Sequence, residues 1–204
     1  MRAVIITGGQ VTDYDFVKNQ IKAGDTVICA DSGYDHAIKM GLTPSAVVGD
    51  FDSICSIPQG ITAIKYPAKK DLTDTEIAIE YARDNGFKNF LLLAATGRRL
   101  DHGLTNILLL KVFLDRGENA VIIDEHNKLM LTGSKLILHE APGTIVSLVP
   151  LTDCHGVCTE NLEYPLHDTT LYMGKGLGVS NVMVESSAAV SLREGLLFVV
   201  VAKD

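Results

Sequence analysis

The segment Ala46-Val47-Val48-Gly49-Asp50-Phe51-Asp52-Ser53 joins a short apolar strand to two carboxylates. The two valines give the β-branched bulk typical of a buried strand, and the glycine permits a turn or the close approach of a ligand. Asp50 and Asp52 then point in the same direction if the backbone stays extended. Two such charges repel each other unless a cation lies between them. The segment predicts either a polar turn or a site for a hard metal ion such as Mg²⁺.

Around this segment, the first 124 residues alternate apolar strands with helices. Strands that are apolar throughout and alternate with helices indicate a mainly parallel, Rossmann-like sheet with flanking helices, an α/β fold. In the last helix, Leu104, Ile107, Leu108 and Leu110 are expected to face inward. The strands are predicted at Ala3–Thr7, Thr26–Ala30, Ala46–Val48, Gly60–Ile64, Asn89–Ala95 and Ala120–Ile123, and the helices at Tyr14–Ile21, Asp31–Met40, Leu72–Asp84 and His102–Arg116.

After residue 124 the pattern changes to short strands separated by Gly, Pro, Asn or Asp, and no long helix pattern remains. Lys128–Leu131 and Lys135–His139 flank Thr132-Gly133-Ser134 and predict a hairpin. We therefore expect two domains, 1–124 and 125–204, of which the second is a small antiparallel sandwich or barrel.

Bulk composition excludes several classes of protein. The 204 residues carry a net charge of −7, which argues against binding nucleic acid through a basic surface. No apolar run approaches the ~20 residues of a membrane span, and the N-terminus enters a strand pattern without a signal peptide. Four scattered cysteines indicate a reduced, cytoplasmic protein. Cys154 and Cys158 lack the second pair of ligands that a structural zinc site needs.

Four polar clusters follow predicted strands, at the sheet edge where open parallel sheets bind ligands. Each residue also has a simpler explanation. Asp31 and Asp101 fit helix N-caps, Asp71 and Asp74 fit first-turn acids, and His102 fits a packing residue. The clusters are Asp31-Ser32-Gly33, Gly49-Asp50-Phe51-Asp52, Lys69-Lys70-Asp71-Leu72-Thr73-Asp74-Thr75-Glu76 and Thr96-Gly97-Arg98-Arg99-Leu100-Asp101-His102.

Taken together, the clusters indicate phosphoryl transfer. Asp71 and Asp74 are three residues apart and are expected to share a helix face, and with Asp50 and Asp52 they place four carboxylates near one point. Such a density needs a divalent metal, while Lys70 and a nearby arginine would neutralise phosphate oxygens. Neither a Walker motif nor a dinucleotide fingerprint of glycines is present.

Five motifs in order resemble those of the thiamine pyrophosphokinase family, whose enzymes transfer pyrophosphate from ATP to thiamine. The resemblance implies an α/β domain followed by a β-sandwich, and a homodimer with its sites at the interface. The family usually has Gly-Gly-Arg where this chain has Gly97-Arg98-Arg99, so Arg98 has no assigned role. The motifs are Ala30-Asp31-Ser32-Gly33, Gly49-Asp50-Phe51-Asp52-Ser53, Lys70-Asp71-Leu72-Thr73-Asp74, Arg99-Leu100-Asp101-His102 and Gly178-Val179-Ser180-Asn181.

The resemblance also implies residue roles. Mg²⁺ would be held by Asp50, Asp52 and Asp74. ATP would be bound by Asp31, Lys70, Arg99 and His102. Asp71, Arg99 and Asp101 would be catalytic, and thiamine would contact Asp101, Ser180 and Asn181.

The expected reaction is attack of the thiamine hydroxyl on the β-phosphorus of ATP, which gives thiamine diphosphate and AMP. Either Asp71 or Asp101 would orient or deprotonate that hydroxyl. The chain contains no Trp, so ring stacking on thiamine falls to Tyr, Phe or an aliphatic surface. Two alternatives stay open: another Mg²⁺-dependent phospho- or nucleotidyltransferase, and a non-catalytic regulator that binds nucleotide or thiamine.

Overall fold

A computed structural model describes residues 1–49, 61–65, 71–97 and 99–203. The chain divides into two compact units, Met1–Glu125 and His126–Asp204. The domain boundary expected from sequence falls one residue before this division.

The first unit is a six-stranded parallel sheet with helices, which confirms the predicted α/β class. The strand order is β6-β5-β1-β2-β3-β4, and every neighbouring pair is parallel. Its elements are β1 Ala3–Ile6, α1 Tyr14–Asn19, β2 Thr26–Ala30, α2 Gly33–Lys39, β3 Ala46–Gly49, β4 Thr62–Lys65, α3 Asp74–Asp84, β5 Asn89–Leu93, α4 Leu100–Asp115 and β6 Asn119–Ile123.

The strand β1 forms the centre of this sheet. Ala3 pairs with Thr26 of β2 on one side and with Phe90 of β5 on the other. All four of its side chains are fully buried, as expected for a parallel strand covered on both faces. Burial of apolar surface stabilises such a strand by about 25 cal/mol for each Å² removed from water, and this is the main force that holds it in place.

The helix α3 begins later than its sequence pattern predicts. Thr73 is the N-cap, and its hydroxyl accepts a hydrogen bond from the amide of Glu76. The Glu76 carboxylate in turn accepts a hydrogen bond from the amide of Thr73. This capping box sets the first residue of the helix at Asp74. Asp71 therefore precedes the helix, and the prediction that Asp71 and Asp74 share one helical face is wrong.

The helix α4 buries only part of the predicted face, since Leu110 is buried as expected. Leu104 and Leu108 are about half exposed, while Gly103, Asn106 and Leu109 are buried. Because this helix is apolar on nearly every side, periodicity alone does not identify the packed face. Within the described residues, no helix has the length and apolar character needed to cross a membrane.

The second unit contains two antiparallel sheets, with strand orders β12-β9-β14-β7 and β11-β10-β13-β8. Side chains from both sheets form one buried core, so the unit is a β-sandwich, as predicted. Its strands are β7 Asn127–Thr132, β8 Lys135–His139, β9 Ile145–Pro150, β10 Cys154–Glu160, β11 Thr169–Leu171, β12 Asn181–Val182, β13 Ser187–Ser191 and β14 Leu197–Ala202.

The predicted hairpin between β7 and β8 is wrong. β7 pairs with β14, whereas β8 pairs with β13. The chain changes sheets at Thr132–Ser134, where the Ser134 amide donates to Thr132 Oγ1 and the Ser134 carbonyl accepts from the Leu192 amide. A short loop between two strands is compatible with either arrangement, and burial on the sandwich core decides it here.

Candidate active site

The loops after β1, β2 and β5 and the last residue of β3 lie together at the carboxyl edge of the parallel sheet. Gly8 lies against the Ser32 side chain, and Gly49 lies so close to Asp31 that a Cβ built on it would be 3.3 Å from the Asp31 Cα. Asp31 thereby lies beside Gly49, the last residue of β3, which Asp50 follows in the chain. Asp31 and the end of β3 therefore lie side by side at this edge of the sheet.

The loops after β1 and β5 are joined at the point where the strand order reverses. The Gly9 amide donates to the Ala94 carbonyl at 2.7 Å, and the Gln10 amide donates to the Thr96 carbonyl at 3.1 Å. A Cβ on Gly9 would collide with both of these carbonyl oxygens, so only glycine fits. Ligands of open α/β sheets bind at this kind of reversal.

Two residues at this edge have left-handed backbone conformations. Asp31 has φ 45° and Ala94 has φ 52°, a region that disfavours most non-glycine residues. The Asp31 amide donates to the Val48 carbonyl at 2.8 Å, and its Oδ1 atom is buried. Backbone outliers of this kind concentrate at functional sites, which supports a ligand site at the ends of β2 and β5.

Arg99 and Asp101 form a bidentate ion pair at the start of α4. Arg99 Nε lies 3.1 Å from Asp101 Oδ1, and Nη2 lies 2.5 Å from Oδ2. Both side chains are more than 60% exposed. The hydrogen bond from Arg99 holds the pKa of the Asp101 carboxyl well below its usual range. Asp101 is not the N-cap of α4, because Arg99 takes that position.

Two buried polar contacts position the loop that carries Arg99, and sequence reasoning missed both. Asn106, 7% exposed, donates from Nδ2 to the Ala95 carbonyl at 2.8 Å and ties α4 to the end of β5. Thr96 Oγ1 donates to Asp124 Oδ2 at 2.7 Å, which links the loop to the end of β6. A buried amide needs a partner, but no local pattern in the sequence shows that Asn106 is buried.

His36 is a further positioning residue that sequence reasoning missed. Its Nε2 lies 2.8 Å from the Gly9 carbonyl, which only accepts, and its Nδ1 lies 2.9 Å from Tyr14 Oη. Nε2 therefore donates to that carbonyl, while Nδ1 is hydrogen-bonded to the Tyr14 hydroxyl. The ring connects α1 and α2 to the glycine loop after β1.

The remaining candidates of the first unit are only partly described. Asp74 is half-buried in the first turn of α3, which lies at the carboxyl edge because α3 connects the parallel strands β4 and β5. Asp71 and His102 are exposed. Asp50, Asp52, Lys70 and Arg98 lie outside the described residues. Among the residues that are described, no three His, Cys, Asp or Glu side chains form a metal cluster.

Ser180 and Asn181 of the second unit differ in accessibility. Ser180 is exposed, has φ 58°, and donates from its amide to Ser147 Oγ at 3.0 Å. Asn181 is 3% exposed and has its side chain hydrogen-bonded to the backbone of Tyr164. Ser180 is therefore placed to meet a ligand, while Asn181 acts on its own fold.

The α/β unit with its polar carboxyl edge and the antiparallel sandwich that follows it define the class of the protein as two-domain α/β and β-sandwich. The family model described as "Thiamin pyrophosphokinase, catalytic domain" matches residues 17–123, and "Thiamin pyrophosphokinase, vitamin B1 binding domain" matches residues 135–197. The chain belongs to the thiamin pyrophosphokinase family.

Individual relatives agree with this assignment. A thiamine pyrophosphokinase of Bacillus subtilis is 28% identical over 186 residues, which are 87% of each chain. The crystal structure of thiamin pyrophosphokinase from Geobacillus thermodenitrificans has a TM-score of 0.87 at 26% identity, covering 100% of this chain and 98% of that one. The Bacillus subtilis crystal structure has a TM-score of 0.91 at 22% identity over the full length of both chains and supports the fold.

These findings confirm the resemblance, the fold class and the prediction of an enzyme. The family models match parts of both units, so the family assignment does not depend on one common motif.

Proposed function

We propose that this enzyme transfers the pyrophosphoryl group of ATP to thiamine and releases AMP. The observation that carries this function is the match of a catalytic and a vitamin B1-binding family model to successive parts of one chain. The thiamine hydroxyl oxygen forms a bond to the β-phosphorus, the bond from that phosphorus to the α-phosphate oxygen breaks, and the hydroxyl proton leaves.

Mg²⁺ is the metal that we propose, with Asp50, Asp52 and Asp74 as its ligands. Their carboxylates are the oxygen ligands that this ion prefers, and the half-buried Asp74 together with Asp31 gives the described part of the edge the required anionic character. When bound, Mg²⁺ would neutralise phosphate oxygens and align the triphosphate. Removal of the metal with EDTA should abolish AMP formation, and added Mg²⁺ should restore it.

Arg99 is proposed to contact the transferring phosphates, with Asp31, Lys70 and His102 completing the ATP site. The guanidinium fork of Arg99 is solvent-accessible and already makes a bidentate contact with a carboxylate, the geometry that also suits a phosphate. The backbone bonds at Gly9, Gln10 and Thr96 hold the neighbouring loop in place for this contact.

Asp71 or Asp101 is proposed to receive the hydrogen bond of the thiamine hydroxyl. Because Arg99 keeps Asp101 ionised, Asp101 accepts a hydrogen bond readily but binds a proton weakly. Asp101 therefore suits orientation of the hydroxyl, and Asp71 stays the alternative residue for this role. Positioning of this kind is the largest protein contribution in phosphoryl transfer.

The test is AMP formation from Mg-ATP with and without thiamine. We expect thiamine-dependent AMP and thiamine diphosphate in equal amounts, and a loss of about 100-fold or more in Asp74→Ala, the scale of one electrostatic contact in a transition state. Asp84→Ala is the matched control, since Asp84 is the exposed last residue of the same helix. Turnover without thiamine would instead indicate a different transferase, and thermal stabilisation by ligands without product would indicate a regulator.

A homodimer is proposed from the exposed apolar stripe along α4, defined by Leu100, Leu104, Leu108 and Val112. These side chains recur every four residues and remain 39 to 71% exposed, which is typical of a surface that meets a partner. The stripe begins between Arg99 and Asp101, so a second copy bound there would border the site. Sedimentation should give a dimer that Leu104→Glu weakens, whereas Ile38→Glu on α2, an equally exposed position, should not.

We also propose a cytoplasmic location with reduced cysteines. Cys29, Cys154 and Cys158 are free thiols, and burial raises the pKa of the Cys29 thiol to about 12. Fractionation of cells that express the tagged protein should recover it with the cytoplasm.

A further inference from the structure

We propose that the ring of Tyr164 is the surface on which the cationic thiazolium ring of thiamine packs, and that Asn181 is a positioning residue that holds Tyr164 beside Ser180. This inference rests on the proposed function, because it specifies the thiamine part of that site.

The side chain of Asn181 is engaged with backbone groups through both its oxygen and its nitrogen. Its Oδ1 accepts from the amides of Tyr164 at 3.0 Å and of Val182 at 2.9 Å, and its Nδ2 donates to the Tyr164 carbonyl at 2.7 Å. Asn181 is also 3% exposed. An amide committed in this way has little capacity left for a ligand, so its influence on thiamine passes through the residue that it holds.

The backbone around Tyr164 is fixed from several sides. Leu162 bridges Met183 in antiparallel orientation, and the Glu163 amide donates to the Val182 carbonyl at 2.9 Å. Pro165 follows and restricts Tyr164 to an extended conformation. Tyr164 thus lies two residues after an isolated β-bridge, next to the segment that begins with Ser180 and Asn181.

The side chain of Tyr164 has no corresponding role in the core, since the residue is 63% exposed. Among the described residues of the second unit, the other aromatic side chains are the 55% exposed Tyr172 and the buried Phe198. The Tyr172 carbonyl accepts from the Lys175 amide in a turn, and no hydrogen bond described here links Tyr172 to Asn181. Tyr164 is therefore the exposed aromatic residue whose backbone the Ser180-Asn181 segment holds in place.

The chemistry of thiamine suits this ring. Its thiazolium is a flat cation, and the face of a tyrosine ring attracts cations through the negative face of its quadrupole. A fixed backbone lowers the entropy cost of presenting that ring to a ligand. The exposed Ser180 adds a hydroxyl next to the same segment.

The first experiment measures the thiamine dissociation constant by calorimetry with Mg²⁺ and a non-hydrolysable ATP analogue. We expect Tyr164→Leu to raise the thiamine dissociation constant about 10-fold, which is within the range for a cation on an aromatic ring. Tyr164→Phe should stay within about 2-fold, because it keeps the ring, and ATP-analogue binding should be unchanged in both. Tyr172→Leu is the matched control and should bind thiamine like the parent.

The second experiment separates positioning from folding. Asn181→Asp keeps an acceptor for the Tyr164 amide but replaces the donor that faces the Tyr164 carbonyl. The affinity for thiamine should therefore fall as much as in Tyr164→Leu. The double variant should lose no more than Tyr164→Leu alone, since both changes remove one interaction. If the loss of thiamine affinity in the double variant is the product of the two single losses, the role of Asn181 is wrong. The role of Tyr164 is wrong if Tyr164→Leu leaves the affinity unchanged or if Tyr172→Leu causes an equal loss. If the parent protein neither binds thiamine nor forms AMP, the proposed function itself fails.

Discussion

Gly9 shows how closely the loops at the sheet edge pack. Its amide bonds to the Ala94 carbonyl, and there is no room for a Cβ between the carbonyl oxygens of Ala94 and Thr96. We expect Gly9→Ala to lower the free energy of unfolding by about 3 kcal/mol, the upper part of the usual cost of overpacking. Urea denaturation measures the change.

Gly176→Ala is the matched control for this prediction. A Cβ on Gly176 has nothing within 4 Å, so its effect on stability should stay within about 0.5 kcal/mol. Equal effects of the two substitutions would show that the loops after β1 and β5 are not in tight contact.

Asp101 should remain ionised at pH values where most carboxylates are protonated. The hydrogen bond from Arg99 lowers its pKa, so pairing favours the folded state above the pKa of the unfolded chain and loses its effect as the pH falls through the folded pKa. A carbon-detected NMR titration of the Asp101 carboxyl measures this directly. In Arg99→Met the pKa should return towards the ordinary value, and an unchanged titration in that variant would disprove the pairing in solution.

Sequence reasoning identified the ionisable residues at this edge but not those that hold them. Asp31 and Arg99 follow strands of an α/β pattern, and the topology places such residues together. Asn106 and His36 act through single hydrogen bonds to the carbonyls of Ala95 and Gly9. Those partners are distant in sequence, and no local pattern indicates them.

At the scale of secondary-structure elements, Arg83 joins α3 to the end of α4. Arg83 Nη2 lies 2.7 Å from Glu118 Oε2, and both side chains are about 10% exposed. The guanidinium also lies 4.9 Å from the Phe113 ring centre. Arg83→Leu should cost about 3 kcal/mol, because it leaves Glu118 buried without its cation. Thermal and urea unfolding measure the loss.

Lys111→Ala provides the comparison for Arg83→Leu. Lys111 pairs with Asp115 on α4 at 2.6 Å, but both side chains are about half exposed. Such a pair contributes about 0.5 kcal/mol. If the two substitutions cost the same, burial does not set the strength of the Arg83 pair.

Strands were easier to predict from sequence than helix faces or strand partners. Continuous apolar runs such as Thr26–Ala30 give a strand with its observed bounds, because a strand buried on both faces leaves a clear pattern. The packed face of α4 was predicted only in part, because leucines surround the helix and Gly103 and Asn106 carry no apolar signal. The partner of β7 was missed because β14 lies about 70 residues away in the chain.

At the scale of the whole molecule, each unit has its own buried core. We expect residues 126–204 expressed alone to fold cooperatively with a free energy of unfolding of about 3 to 5 kcal/mol, which is typical of so small a domain. Circular dichroism and urea titration measure it. Val199→Asp, at a fully buried position of β14, should abolish the transition. A fragment without a cooperative transition would show that the sandwich core is insufficient by itself.

The central place of β1 has a consequence for synthesis on the ribosome. This strand emerges first, yet its partner β5 begins only at Asn89. In the second unit, β7 similarly pairs with β14, which is synthesised last among the strands of that unit. Each sheet is therefore completed by a late strand, and its earlier strands expose apolar edges while translation proceeds. Pauses in translation before residue 93, or before residue 202, should prolong the time during which chaperones hold the nascent chain.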